Sequence, residues 1–315
     1  MTAQPALPRI VWSLDFELRW GMHDILGMDR DAYRQNLEGA RAAVPRLLEL
    51  FAQRNVRATW ATVGALACAD WNEYLRRAPP PPRYVDKRLA IDPRYADLDP
   101  TGVLHFAPDL VRLVARAPGQ DLGTHTFSHI FLGEPGVTLQ DVAADHAAVT
   151  SLFRERLAAV PTSLVFPRNQ IGFLGFFRAN GISAWRGNEA SWFYRMTQHA
   201  NRPLVRALRL ADAMAPWRTH GGRFDDGCTT STAFVRVGLP EVAWRAHVAK
   251  IAAEARRLQP GGVLHFWLHP HNLGKDVPRG IARLARVLDT LDRSAPTGTR
   301  YASMRDLAIS AIQPH

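Results

Sequence analysis

The sequence predicts an α/β fold with a mostly parallel sheet, and three observations lead there. From Arg9 onward, short β-branched or aromatic runs alternate with longer helical ones. Side chains able to do chemistry, acids and histidines, fall at the carboxyl ends of the strand-like runs, where parallel α/β folds keep their sites. The composition, 47% hydrophobic and 22% charged over 315 residues, allows one large core or two small ones and excludes a disordered, collagenous or coiled-coil chain.

Residues 10–17 read as the first strand, because alternation puts Ile10, Trp12, Leu14 and Phe16 on one apolar face and Val11, Ser13, Asp15 and Glu17 on the other. Residues 31–54 read as a helix broken or kinked near Pro45, and 56–63 as the second strand. Residues 78–100, with their run from Pro79 to Pro82 and little periodicity, read as a loop insertion. A helix over 108–117 leads through Gly119 to a strand over 122–126; a long amphipathic helix follows over 139–157, and a short strand over 164–167. The stretch 187–239, rich in Trp, Arg, Gly and turn residues, reads as a second insertion, a lid or substrate-facing excursion. A helix over 241–258 precedes a strand over 263–269, introduced by Gly261 and Gly262. A helix over 279–291 and a short strand and turn near 300–305 complete the pattern. Neither a repeat nor an interdomain linker is visible, so residues 1–315 are expected to form one domain.

The 39 Lys and Arg against 29 Asp and Glu give a net charge of +10. Only Lys87, Lys250 and Lys275 are lysines, so 39 − 3 = 36 of the cations are arginines, scattered with no basic block. The expectation is therefore no nucleic-acid partner, with anionic small molecules or glycan carriers fitting the charge better. Cys68 and Cys228 lie far apart, which leaves neither a disulfide framework nor a cysteine zinc site. No stretch approaches the roughly 18 to 20 apolar residues of a membrane span. Residues 1–8 lack the charged and apolar regions of a secretion signal, so the expectation is a soluble, cytoplasmic protein acting on a cytosolic substrate.

Asp15 and Glu17 share a strand face about 7 Å apart. Two carboxylates so placed need a cation or a shared proton, unless they are surface acids on a solvated strand end. Gly123-Thr-His125-Thr-Phe-Ser-His129 sets two histidines at i and i+4 immediately after a strand, and on a helical turn that spacing puts both imidazoles on one face. Two neutral imidazoles and one carboxylate would supply the cation the acids require and leave a position open for water. In Val263-Leu-His265-Phe-Trp267-Leu-His269, His269 at the strand end reads as a fourth ligand, a core histidine or a general acid; His271 and Asn272 follow in a turn. Trp20, Trp185, Trp192 and Trp217 either stack on a ligand or pack in the core, with Trp20 and Trp185 the substrate-binding candidates. His23 and Asp24 either line the cleft or are ordinary loop residues. Arg223-Phe-Asp225-Asp226-Gly227 also carries paired acids, but it follows His220-Gly-Gly rather than an apolar strand and reads as an Asp-Gly turn.

These residues, in this order, resemble the polysaccharide deacetylases, the NodB-homology domains. The likeness runs through most of the chain: a strand ending in acids, the run from Val56 to Gly64, the H-T-F-S-H motif, an arginine after a short strand, and Leu268-His269. It implies an irregular (β/α) barrel of about seven parallel strands with loop insertions near 78–100 and 187–239. It further implies Asp15 as catalytic base, Glu17, His125 and His129 as metal ligands, Arg168 as the residue orienting the base, and His269 as general acid. Asp15-Phe16-Glu17 is similar to the branch with one residue between its acids. Arg168 lies between Pro167 and Asn169, outside the usual context, and Ser183-Ala184-Trp185 stands where the family has Asp-x-Trp.

The activity this resemblance implies is metal-dependent removal of an N-acyl group, foremost N-acetyl, from an amino sugar of a surface polysaccharide or its nucleotide- or lipid-linked precursor. The ligand set makes Zn²⁺ the expected cofactor. The competing readings are a deformylase or other small-molecule amide or imide hydrolase of the superfamily, a glycosidase with Asp15 and Glu17 as its acid pair, and a sugar-binding module without turnover.

Overall fold

The computed structural model describes residues 6–312 except 28, 30, 32, 198–201 and 218–220. Ten strands form one curled sheet: β1 (Arg9–Phe16), β2 (Ala58–Thr62), β3 (Gln120–Thr124), β4 (Ser163–Leu164), β5 (Ala184–Gly187), β6 (Phe224–Asp225), β7 (Cys228–Thr230), β8 (Ala233–Phe234), β9 (Val263–Leu268) and β10 (Arg300–Ala302). All pairings between these strands are parallel except the β6–β7 hairpin. The strand β1 is central: one edge pairs with β9, the other first with β10 and then with β2.

The strand count exceeds the expected seven because 187–239 is more than an excursion. Its segment through β7 and β8 is one extended run, paired first with β5 and then with β9. Backbone bonds from Ser231 to the Gly187 carbonyl (3.0 Å) and from Thr232 to the His265 carbonyl (2.8 Å) fill the step between the two pairings. One run thus joins the two ends of the curl, giving the barrel-like wall that the resemblance implies.

The alternation in β1 sorts two cores. Ile10, Trp12, Leu14 and Phe16 pack outward with Leu47, Phe51, Val149, Leu284 and Leu288 of the surrounding helices. Val11 packs inward with Ala61, Val165, Ala184 and Met304. Helix Arg34–Gln53 continues through Pro45, because its buried Leu37, Ala40, Val44, Leu47, Leu50 and Phe51 hold the helix against the sheet despite the lost backbone donor. At Gly39 a Cβ would overlap the Gly274 carbonyl, so this helix presses on the turn Pro270–Asp276 that follows β9. The insertion 78–100 holds a 3-10 turn at Lys87–Leu89 and a short helix at Tyr95–Leu98. The expected strand over 164–167 shortens to β4, because Pro167 opens a 3-10 turn through Asn169. Among the described residues no helix is long and apolar enough to cross a membrane.

His247 ties helix Glu241–Arg256 to the wall. Its Nδ1 lies 2.7 Å from the Ala213 carbonyl, and its Nε2 accepts the backbone N–H of Arg236 at 3.2 Å. Those contacts require a neutral ring with the proton on Nδ1, and burial pushes the ring's pKa down to about 4. The unfolded chain takes up that proton near pH 6.5 while the folded chain does not. Folding stability is therefore intact above about pH 6.5 and falls toward pH 4 by about 1.4 kcal/mol per pH unit for this one group. Other buried groups titrate in the same range, His23 among them, so the expected effect is a difference: in urea denaturation from pH 7 to pH 4, His247→Gln should lose less stability than the parent protein by about that slope, while lowering the midpoint at pH 7.

Candidate metal centre and its cleft

The site assembles at the carboxyl ends of β1, β3, β5 and β9. Asp15 is the penultimate residue of β1 and Glu17 the first beyond it; both are buried, at 3% and 4% exposure, which excludes the solvated strand end. Glu17 begins a 3-10 turn, Leu18–Gly21, and a Cβ on Gly21 would overlap the Glu17 carboxyl group, so glycine leaves the space this carboxylate occupies.

The histidines reach Glu17 by a loop rather than a helical turn. Past β3 the chain is irregular, and Thr126 and His129 adopt left-handed backbone angles, φ 64° and 55°. Asp145, on helix Leu139–Leu157, accepts the N–H groups of Phe127 (2.7 Å) and Ser128 (2.9 Å). The Gly64 and Ala65 N–H groups donate to the Thr126 and Phe127 carbonyls at 2.8 and 3.0 Å. A loop clamped from both sides replaces helix periodicity as the reason the rings converge. His125 Nε2 and His129 Nε2 lie 3.3 and 3.2 Å from the same oxygen, Glu17 Oε2. Burial would raise the Glu17 carboxyl, but the charge of His269 and the bonds to His125 and His129 outweigh it and hold the carboxyl well below its ordinary range.

The basic partner of Asp15 is Arg186. Its Nη1 and Nη2 donate to Asp15 Oδ1 and Oδ2 at 2.7 and 2.8 Å, and also to Ser13 Oγ and Asn169 Oδ1, both at 2.9 Å. Burial acts to raise the Asp15 carboxyl; Arg186 foremost, with His125 and His269, more than reverses this. Arg168, expected to orient Asp15, instead pairs with Asp24 and lies over the Phe131 ring, 4.6 Å from its centroid. The difference follows from backbone position. Arg186 is a strand residue whose face it shares with Ala184 of the inner core, whereas Arg168 sits past β4 in a turn, with φ 52°. Alternation in Ala184-Trp185-Arg186 was the available signal: an arginine on the inner face of a strand requires a buried carboxylate.

His269 is the first residue past β9, with Nε2 3.3 Å from Glu17 Oε1 and 3.8 Å from Asp15 Oδ2. His271, which the sequence left in a turn, is buried and stacks on His269 at 4.8 Å between centroids. With Glu17 and His269 it forms a second group whose donor atoms lie within 4.8 Å of one another, alongside Glu17, His125 and His129. The tryptophan candidates differ from expectation. Trp20 is enclosed by Trp71, Tyr74, His105 and Phe106, and Trp185 packs among Leu164, Phe166 and Phe177, because in each case the apolar ring is drawn into a core. Trp192 and Trp217 are exposed. Two aromatics beside His269, Phe234 and Trp267, line the cleft, and Trp267 carries the Arg186 guanidinium 4.1 Å over its ring. His23 is buried between the Trp20 and Leu89 carbonyls. Asp225 and Asp226 belong to the β6–β7 hairpin, where Asp226 pairs with Arg178 at the surface, as an Asp-Gly turn should; His220 lies outside the described residues.

Glu17, His125 and His129 fit a divalent metal. The Val165 carbonyl lies 2.7 Å from His125 Nδ1 and holds a proton there, so Nε2, the atom facing Glu17, is the one that would give up its proton on binding a metal. The 3.2 and 3.3 Å donor separations match the edge of a tetrahedron whose metal–ligand bonds are about 2.0 to 2.1 Å.

No protein-family model matches the chain, and no curated protein sequence matches it. Solved structures do. A protein of Mycobacterium smegmatis assigned to the polysaccharide deacetylases aligns at 16% identity over 97% of this chain and 90% of its own, with a TM-score of 0.53. A probable polysaccharide deacetylase from Pseudomonas aeruginosa PAO1 aligns at 12% identity over 98% and 92%, with a TM-score of 0.55. PuuE allantoinase gives the same figures, 12%, 98%, 92% and 0.55. At these identities the likeness is one of fold. The chain folds as the polysaccharide deacetylases do, on the curled, mostly parallel sheet described above.

The two arginines should respond differently to substitution. Arg186→Gln strands the buried Asp15 charge and is expected to cost about 3 to 5 kcal/mol of stability. Arg168→Gln, at a partly open cleft wall, should cost clearly less, and urea denaturation of both variants at pH 7 measures the difference.

Proposed function

We propose that the protein is a metal-dependent hydrolase that removes an N-acyl group, foremost acetyl, from an amino sugar of a surface polysaccharide or its nucleotide- or lipid-linked precursor. The observation that carries this reading is the convergence of Glu17, His125 and His129 beside Asp15, with His269 3.8 Å from that carboxylate. Glu17, His125 and His129 would hold the metal, for which Zn²⁺ suits two imidazoles and a carboxylate. When bound, it would polarise the acyl carbonyl and acidify a water molecule.

The remaining work falls to the chain's own side chains. Asp15 stays ionised and accepts the proton of the attacking water, while Arg186 fixes the direction of its two oxygens. His269, part-exposed at the cleft, gives a proton to the departing nitrogen. Residues 1–315 act in this reading as one catalytic domain, with 187–239 supplying part of the cleft wall.

A glycosidase needs one acid held protonated near neutrality. Asp15 and Glu17 are both held below their ordinary values, which argues against that assignment. Hydrolysis of another C–N bond, as the name of the allantoinase neighbour implies for that protein, is the second reading. The assay therefore follows acetate, formate and ammonia release from N-acetyl and N-formyl amino sugars and from ureido compounds.

Two variants separate the roles. Asp15→Asn should keep its zinc, measured by elemental analysis, and lose about 10²- to 10⁴-fold in turnover. Glu17→Gln should lose the metal itself. Full activity in metal-free protein would overturn the proposal.

A further inference from the structure

A cleft of about 560 Å³ opens beside His269 and Trp267, and its wall is basic. Among the described residues, Arg168, Arg206, Arg209 and Arg236 line it against a single carboxylate, Glu189. Two of these arginines have other engagements. Arg168 pairs with Asp24, and Arg209 donates to the carbonyls of Phe193 and Tyr194 at 3.0 and 3.4 Å.

The other two face the cleft in a different state. Arg206 stands exposed at its rim on helix Pro203–Asp212. Arg236 is half-buried, and its Nε is buried with no hydrogen-bond partner among the described residues. Its backbone N–H is fixed on His247 Nε2 at 3.2 Å, and its guanidinium lies 5.2 Å from the Phe234 ring centroid. Burial disfavours the charge on Arg236, and Arg206 disfavours it further, with the Tyr194 hydroxyl and Glu189 opposing. Like charges crowded around a cavity, with donors left over, make a receptor for an oxyanion.

We propose that Arg206 and Arg236 form an oxyanion subsite that receives a phosphate or carboxylate carried by the substrate, setting its acyl group beside Asp15 and His269. Resting on the deacylase reading, this narrows the substrate class to acidic N-acyl amino sugars: phosphate-linked precursors or uronate-bearing glycans rather than neutral homopolymers. Phe234 links the two ends of this wall, its ring 5.2 Å from the Arg236 guanidinium and 5.6 Å from the His269 ring.

The test does not need turnover. The full chain, kept metal-free with chelator so that no ion can capture the anion, is titrated calorimetrically with pyrophosphate and, separately, with glucuronate. At least one probe should bind saturably. Arg206→Gln/Arg236→Gln should weaken it about tenfold or more, the ordinary worth of charge-assisted bonds. Arg154→Gln, on the exposed side of helix Leu139–Leu157, should leave it unchanged. Arg206→Gln alone, at an exposed position, gives the same direction of change with no risk to folding. Pyrophosphate binding alone assigns a phosphate-linked substrate, and glucuronate binding alone a sugar acid. Binding of neither probe, or binding that the double variant leaves untouched, overturns the subsite. Anion binding without any deacylation would instead sink the proposed activity and leave the subsite standing.

Discussion

Two carboxylates buried at the end of one strand are the constraint around which this molecule is arranged. Removing a carboxylate from water costs several kcal/mol unless charge and hydrogen bonds replace the solvent, and Asp15 and Glu17 are both withdrawn from it. Each has its own replacement. Asp15 faces a guanidinium that meets both of its oxygens. Glu17 faces imidazoles from two directions, His125 and His129 on one oxygen and His269 on the other. The compensating groups come from three other strand ends, so the electrostatic requirement of two residues in β1 fixes how β3, β5 and β9 must sit around it.

The backbone features near the site serve that requirement. The histidine loop departs from regular structure, with two non-glycine residues at positive φ, conformations that cost free energy and persist only where surroundings enforce them. The enforcement is visible in the Asp145 carboxylate and the Gly64 and Ala65 amides, which together take up the loop's own polar groups. Gly21 adds a steric condition by leaving room for Glu17. Next to this centre lies a more basic wall, where, among the described residues, Arg206 and Arg236 face a single lining carboxylate, Glu189.

Much of this was legible in the order of the residues. The alternation in residues 10–17 correctly sorted core from site face, and the acids, H-T-F-S-H and Leu268-His269 fall at the strand ends that a parallel sheet gathers together. The β1 and β9 runs are read directly because a period of two is a local property. Three features were not. Arg168 and Arg186 are both arginines after short apolar runs; alternation marks Arg186 as facing inward, but that it meets Asp15 follows only from the distance between chain segments. The closing run through β7 and β8 lies in a Gly- and Arg-rich stretch with no periodicity, and its strand character comes from pairing with β5 and β9 rather than from propensity. Trp20 and Trp185 carry no local mark that separates a core ring from a ligand-facing one.

The sequence by itself thus determined the sheet type, the strand ends and the chemical identity of the donors, because alternation, apolar faces and ligand chemistry are written in neighbouring residues. Tertiary structure alone decided which guanidinium neutralises Asp15, that His271 joins the cluster, and that four arginines from three segments share one cleft. Coulomb interaction depends on distances through space, and residues 15 and 186 become neighbours only when the sheet curls.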